Sequence, residues 1–119
     1  MSILIEPNYW VKLASAQKNN ENKDQYEKDN WRLSYCGREG CLEFMYYQKK
    51  FRFQAETGRV INEDEGEFET DDITSSKITD IHENNNELII CTRNTIYTFE
   101  IMKKIPNENT QAYFDYLIS

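Results

Sequence analysis

Three features of the sequence predict a mainly β domain of the α+β kind: an antiparallel sheet or partly open barrel of about six to seven short strands, with one C-terminal helix. Apolar and polar residues alternate in short runs through much of the chain, which is the signature of half-buried strands. Turn-forming clusters rich in Gly and Asn separate those runs. Near the end the apolar spacing changes from two to the helical period. At 119 residues the chain reads as a single domain spanning 1–119.

The elements follow in order. Trp10, Val11, Leu13 and Ala14 come soon after Pro7, and over so few residues the spacing of 8–16 suits a short helix or a first strand equally. Residues 17–30 are polar apart from Tyr26 and read as a solvated loop. Next, Trp31, Leu33 and Tyr35 alternate with polar residues, as do Leu42, Phe44 and Tyr46. Setting Cys36 opposite Cys41 around the Gly-flanked segment 37–40 places all six of those apolar groups on one face, which predicts a hairpin with a firm register. Phe51 and Phe53 alternate with Arg52 and Gln54, and Thr57-Gly58 offers a turn into Val60 and Ile61, a second hairpin. Residues 63–72 hold seven acids and no base, and their mutual repulsion predicts an extended, wet loop.

The last third reads as three strands and a helix. Strands are predicted over 78–82, 87–92 and 95–101, the first two joined by a turn at Asn84, Asn85 and Asn86 and the last two by Arg93 and Asn94. After Pro106, the run Asn109, Thr110, Gln111 can cap a helix on which Tyr113, Phe114, Leu117 and Ile118 form one apolar stripe.

The run KITDIHENNNELIICTRNTIYTFEIM followed by TQAYFDYLI is similar to the last strands and closing helix of the pleckstrin-homology-like barrel superfold. The similarity is strongest over 78–118, a pattern of residue types rather than a signature of particular ones. It implies a helix plugging one open end of a barrel, in a superfold whose members mostly bind lipid headgroups or peptides. Lipid-binding members carry several basic residues in the loop after the first strand. Here that loop sets Lys18, Lys23 and Lys28 against Glu21, Asp24, Glu27 and Asp29, so phosphoinositide binding is not implied.

Charge narrows the function classes. The net charge is −7, divided unevenly: residues 1–55 hold nine basic and seven acidic residues, residues 56–119 five and fourteen. Affinity for nucleic acid comes largely from neutralising phosphates, and anionic membranes repel an acidic surface. The expectation is therefore no nucleic acid and no membrane, with a basic protein as the fitting partner. Tyr46, Tyr47, Lys49, Lys50 and Arg52 form the one basic and aromatic cluster, a stacking surface of the kind used on single strands, but the chain's charge opposes that use. The start, Met1 to Ile5, lacks a basic n-region and is cut short by Pro7, so no signal peptide is expected. With three cysteines, an odd number, a cytoplasmic protein with reduced thiols is the expectation.

Candidate chemistry is sparse. A zinc site built on Cys36 and Cys41 would need a second pair of ligands, and only Cys91 and His82 are left to supply it. The hairpin register would also permit a Cys36–Cys41 disulfide, which a reducing compartment opposes. His82 is the sole histidine, so any histidine base must be this one. Glu63, Glu65, Glu67, Glu69 and Asp71 alternate, yet lack the flanking helices and the Asp and Asn ligands of a calcium loop. No cofactor, metal or catalytic residue is expected. The expected function is a non-enzymatic protein-interaction module, an inhibitor, immunity or anti-defence protein acting by what it binds. The alternative is a small-molecule or lipid-headgroup binding domain. Partner-binding candidates are Glu63, Asp64, Glu65, Glu67, Phe68, Glu69, Asp71 and Asp72; the plainer reading of the same run is a solvated loop or a charge-protected edge strand.

Overall fold

A computed structural model describes residues 4–105 and 107–119. The start of the chain up to Ile3 and the helix-preceding Pro106 lie outside the described residues. Seven antiparallel strands form one sheet: β1 (Asn8–Lys18), β2 (Glu39–Met45), β3 (Lys50–Asn62), β4 (Glu67–Thr74), β5 (Ile78–Asn84), β6 (Glu87–Thr92) and β7 (Thr95–Ile105). The helix α1 (Thr110–Ile118) follows. Strand order is β4-β3-β2-β1-β7-β6-β5, so β4 and β5 are the two edges.

The sheet is curled. In the strand order β3 and β7 are three steps apart, which on a flat sheet is about 14 Å. Nevertheless the Phe51 ring lies 5.0 Å from Tyr97 and 5.7 Å from Phe99, and Phe53 lies 5.3 Å from Phe99. These edge-on ring pairs fill the concave side, together with Val11, Leu13, Ile73, Ile78, Leu88 and Ile90. Helix α1 closes the core at one end by inserting Tyr113, Phe114 and Leu117. Phe114 stacks on Tyr9 of β1, and both Tyr113 and Phe114 meet Phe44 of β2. Tyr116 lies flat on Tyr46, with ring centroids 4.1 Å apart. Ile118, the fourth residue of the expected stripe, is exposed. The helix start is organised by Asn107, whose Oδ1 accepts from the Asn109 N–H at 2.8 Å, while the Asn109 side chain makes no capping bond.

The expected elements of the last third are present, with β7 extended to Ile105. Residues 8–16, which suited helix or strand, belong to β1, and that strand also takes Gln17 and Lys18 from the expected loop.

Three expectations are corrected. Residues 31–36 are not a strand: Trp31–Tyr35 is a 3₁₀ helix, with the Asn30 side chain accepting from the Arg32 N–H at 3.0 Å. Alternation over so few residues fits a tight helix as well as a strand. Moreover, β2 already spends both edges, pairing Leu42 with Tyr9 of β1 and with Phe53 of β3. No edge is left for 31–36, Trp31 is exposed, and Cys36 and Cys41 are not strand partners. The second hairpin does not turn at Thr57-Gly58. Strand β3 runs through that point as an irregularity, with Gly58 at φ +92° and pairing with β4 resuming at Val60. The reversal comes at 63–66, where Gly66 takes φ +67°. The acidic run is accordingly only partly a loop, because Glu67 onward belongs to the edge strand β4.

Candidate acidic interaction arm

The far ends of β3 and β4 form a hairpin arm extending from the core-facing part of the sheet. Inward residues of β3 are buried as far as Ala55, and those of β4 only from Ile73. Beyond these positions the arm has no core to cover, and its apolar side chains stay in solvent. Val60 is 52% exposed, Ile61 66% and Phe68 49%. Val60 and Phe68 are direct cross-strand partners and share one face of the arm.

The structure sorts the seven acidic candidates into two groups, with Phe68 between them on β4. Glu69 and Asp71 are used within the fold. Glu69 accepts from Arg59 at 3.3 Å and sits beside the Thr57 hydroxyl. Asp71 accepts from Arg38 at 3.3 Å. Arg38 also donates to the carbonyls of Glu56 and Ala55 and lies over the Tyr35 ring, so it braces the root of the arm. Glu63, Asp64 and Glu65 occupy the tip, Glu67 flanks Phe68, and Asp72 lies across from Gln54; these five make no ion pair among the described residues. The arm therefore carries Val60 and Phe68 on one face, exposed Ile61 next in the chain, and five carboxylates along its length that are unpaired among the described residues. Sequence reasoning found Phe68 but missed Val60 and Ile61, which it placed in an ordinary hairpin. Their signal was adjacency to the acidic run.

A second feature was missed altogether. Trp10, Cys41, Lys103, Lys104 and Ile105 line a groove of about 250 Å³ across β2, β1 and β7. Its pairings Trp10 with Cys41 and Trp10 with Lys103 set those side chains in one row on the convex face. Trp10 Nε1 donates to Glu39 at 3.2 Å at the rim. Beside the groove, Glu83 takes hydrogen bonds from Lys104 and from the Tyr9 hydroxyl.

The remaining candidates for chemistry are scattered. Cys36, Cys41 and Cys91 are all free, and burial pushes each thiol up, away from the reactive thiolate. His82 is exposed, its Nδ1 4.0 Å from Asp80. Among the described residues no three His, Cys, Asp or Glu side chains converge as metal ligands. Tyr46, part of the basic and aromatic cluster, is occupied by Tyr116 of the helix. No helix among the described residues is long and apolar enough to cross a membrane. No protein-family model, curated protein or solved structure matches the chain.

Proposed function

We propose that the protein is a non-enzymatic interaction module that binds a basic protein partner through the β3–β4 arm, as an inhibitor or immunity protein would. The observation that carries this reading is the coincidence, on one hairpin, of three exposed apolar side chains with five carboxylates unpaired among the described residues. Carboxylates steer a cationic partner toward the surface, and apolar residues at the centre supply the affinity that exposed charge does not. The curled sheet with its closing helix is compatible with a pleckstrin-homology-like barrel, a rigid scaffold suited to holding such an arm. The alternative, a small-molecule or headgroup-binding domain, would have to rely on the Trp10 groove. Its volume of about 250 Å³ falls below the ~300–1,000 Å³ usual for ligand sites.

The test is a capture from native lysate with the parent protein and with a variant carrying Val60→Ser, Ile61→Ser and Phe68→Ser. A stoichiometric protein retained by the parent and lost by the variant supports the reading. A partner held equally by both places the interface elsewhere, and a small molecule retained in place of a protein favours the alternative.

A further inference from the structure

The two edges of the sheet are finished differently. Strand β5 is interrupted by a register shift between Ile78 and Asp80, the Asp80 side chain takes up the Ile81 N–H at 3.0 Å, and helix α1 packs against the strand. Irregularity and cover of this kind keep an edge from pairing with another chain. Strand β4 runs without a register shift from Thr70 to Thr74 and pairs only with β3. Three contacts fix which of its backbone groups that pairing uses. The Ser75 N–H donates to the Phe51 carbonyl at 2.9 Å, so residues 51 and 75 face each other through their backbones. The Gln54 carbonyl lies against Gly40 of β2 and so points away from β4. Further along, the Thr57 hydroxyl of β3 donates to the Glu69 carbonyl at 3.4 Å. Hydrogen-bonded and non-hydrogen-bonded pairs alternate along an antiparallel ladder. Asp71 and Ile73 therefore spend their N–H and C=O groups on β3, while Thr70, Asp72 and Thr74 point theirs out of the sheet. Among the described residues no other segment's backbone takes up those outward groups.

The flanks of this open edge are acidic. Exposed Asp72 stands on the convex side with Thr70 and Thr74, and Glu69 and Asp71 stand on the side of Ile73. Residues 63–74 hold seven acids and no base. A second copy's β4 is a poor occupant: laid antiparallel about Asp72 it sets Asp72 against Asp72, and like charges directly opposite destabilise a strand pair. A basic strand meets the same row favourably. We propose that the β4 edge takes a basic, extended segment of the partner protein as an added strand. Its backbone bonds Thr70, Asp72 and Thr74, and a Lys or Arg beside Asp72 lies at the ~4.5–5.5 Å spacing of cross-strand neighbours. Glu69 and Asp71 already hold Arg59 and Arg38, so Asp72 is the carboxylate of 69–74 that has no ion pair among the described residues. Main-chain hydrogen bonds supply affinity, and charge decides which strands are admitted. The inference rests on the reading of the arm as a surface for a basic partner, and it adds that the recognised segment is a strand.

The probe is a terminally blocked peptide of about eight alternating lysine and threonine residues, with a glutamate and threonine peptide as its control. Amide hydrogen exchange of the full chain is followed by NMR at low salt, without peptide and at a saturating concentration. Exchange should slow at Thr70, Asp72 and Thr74 and change little at Asp71 and Ile73, whose N–H groups are already bonded. Thr70→Pro removes one outward N–H and no carboxylate, at an edge position where proline is tolerated. It should bind the lysine peptide roughly tenfold more weakly than the parent, with circular dichroism confirming the fold. Should Thr70→Pro prove unfolded, the exchange pattern of the parent decides alone. The glutamate peptide should not bind. No binding of the lysine peptide, equal binding of the glutamate peptide, protection without the alternation, or a folded Thr70→Pro that binds like the parent overturns the inference. Lysine peptide bound without the alternation leaves the arm attracting a basic ligand, so strand addition fails while the proposed function stands. Alternating protection with no protein captured from lysate does the reverse.

Discussion

Gly40 shows most plainly how a single residue governs the placement of two strands. It is buried where β2 crosses β1 and β3, and a Cβ built there would run into the Gln54 carbonyl, whose carbon lies 2.7 Å away. Gly40→Ala should therefore destabilise the protein by about 1–3 kcal/mol through overpacking, read as a lower urea midpoint. An unchanged midpoint would mean that the strands part without penalty. Glu83 makes a second residue-level prediction. Burial works to raise its carboxyl, but the hydrogen bonds from Lys104 and Tyr9 and the charge of Lys104 outweigh it and hold the group below its ordinary 4.5. A carboxylate with a depressed native value contributes stability above the ordinary range and loses it as pH falls through the native value. The stability gap between the parent and Glu83→Gln should accordingly close on acidification toward pH 3, and a gap that stays constant from pH 7 would contradict the assignment. Removing the Tyr9 hydroxyl alone, as Tyr9→Phe, should cost about 0.5–1.5 kcal/mol at neutral pH.

Helix α1 and the arm stand at opposite ends of the energetic range. Phe114 is 2% exposed among Tyr9, Phe44 and the curled sheet, so Phe114→Ala should cost about 3–5 kcal/mol. Val60, Ile61 and Phe68 keep about half or more of their surface in water, and replacing each with Ser should shift stability by no more than roughly 1 kcal/mol, the span of strand propensity. Thermal unfolding of both variants checks this, and a large loss from the arm substitutions would make them part of the core. The same contrast explains what was readable from sequence. Strands β6 and β7 and helix α1 have periods that match their burial, while β5, whose buried Ile78 and Ile81 stand three apart across a register shift, was marked off by the turn that Asn85 at φ +55° and its neighbours supply. The segment 31–35 could not be read this way. Its alternation is real, but strand formation needs an unpaired edge, and β2 has none because β1 returns from far along the sequence to take it. Gly58 failed as a turn signal for a related reason: positive φ serves an irregular strand as well as a reversal, and pairing with β4 decides which. Of the candidate site, the acids and Phe68 were legible because charge density is a local property. The groove was not, because Trp10, Cys41 and Lys103 are brought together only by pairing of three strands.

For the molecule as a whole, the net charge of −7 is displayed rather than dispersed. Acids at Glu69 and Asp71 are spent on Arg59 and Arg38, which keep the arm in register, while those at the tip and beside Phe68 are left for solvent or a partner. That division specifies the substitutions that isolate recognition from folding: Glu63, Asp64, Glu65 and Glu67 to Ser together, with Glu69 and Asp71 left in place. The decisive measurement is the association rate of the lysate-captured partner with the parent and with this variant, at about 0.01 M and 0.15 M salt, where the Debye length is ~30 Å and ~8 Å. If the arm receives a basic partner, the parent should associate faster than the variant at low salt by about 10–10³-fold, and most of that advantage should vanish at the higher salt. Equal rates for parent and variant, or a parent rate indifferent to salt, would contradict the assignment of the arm as the interface.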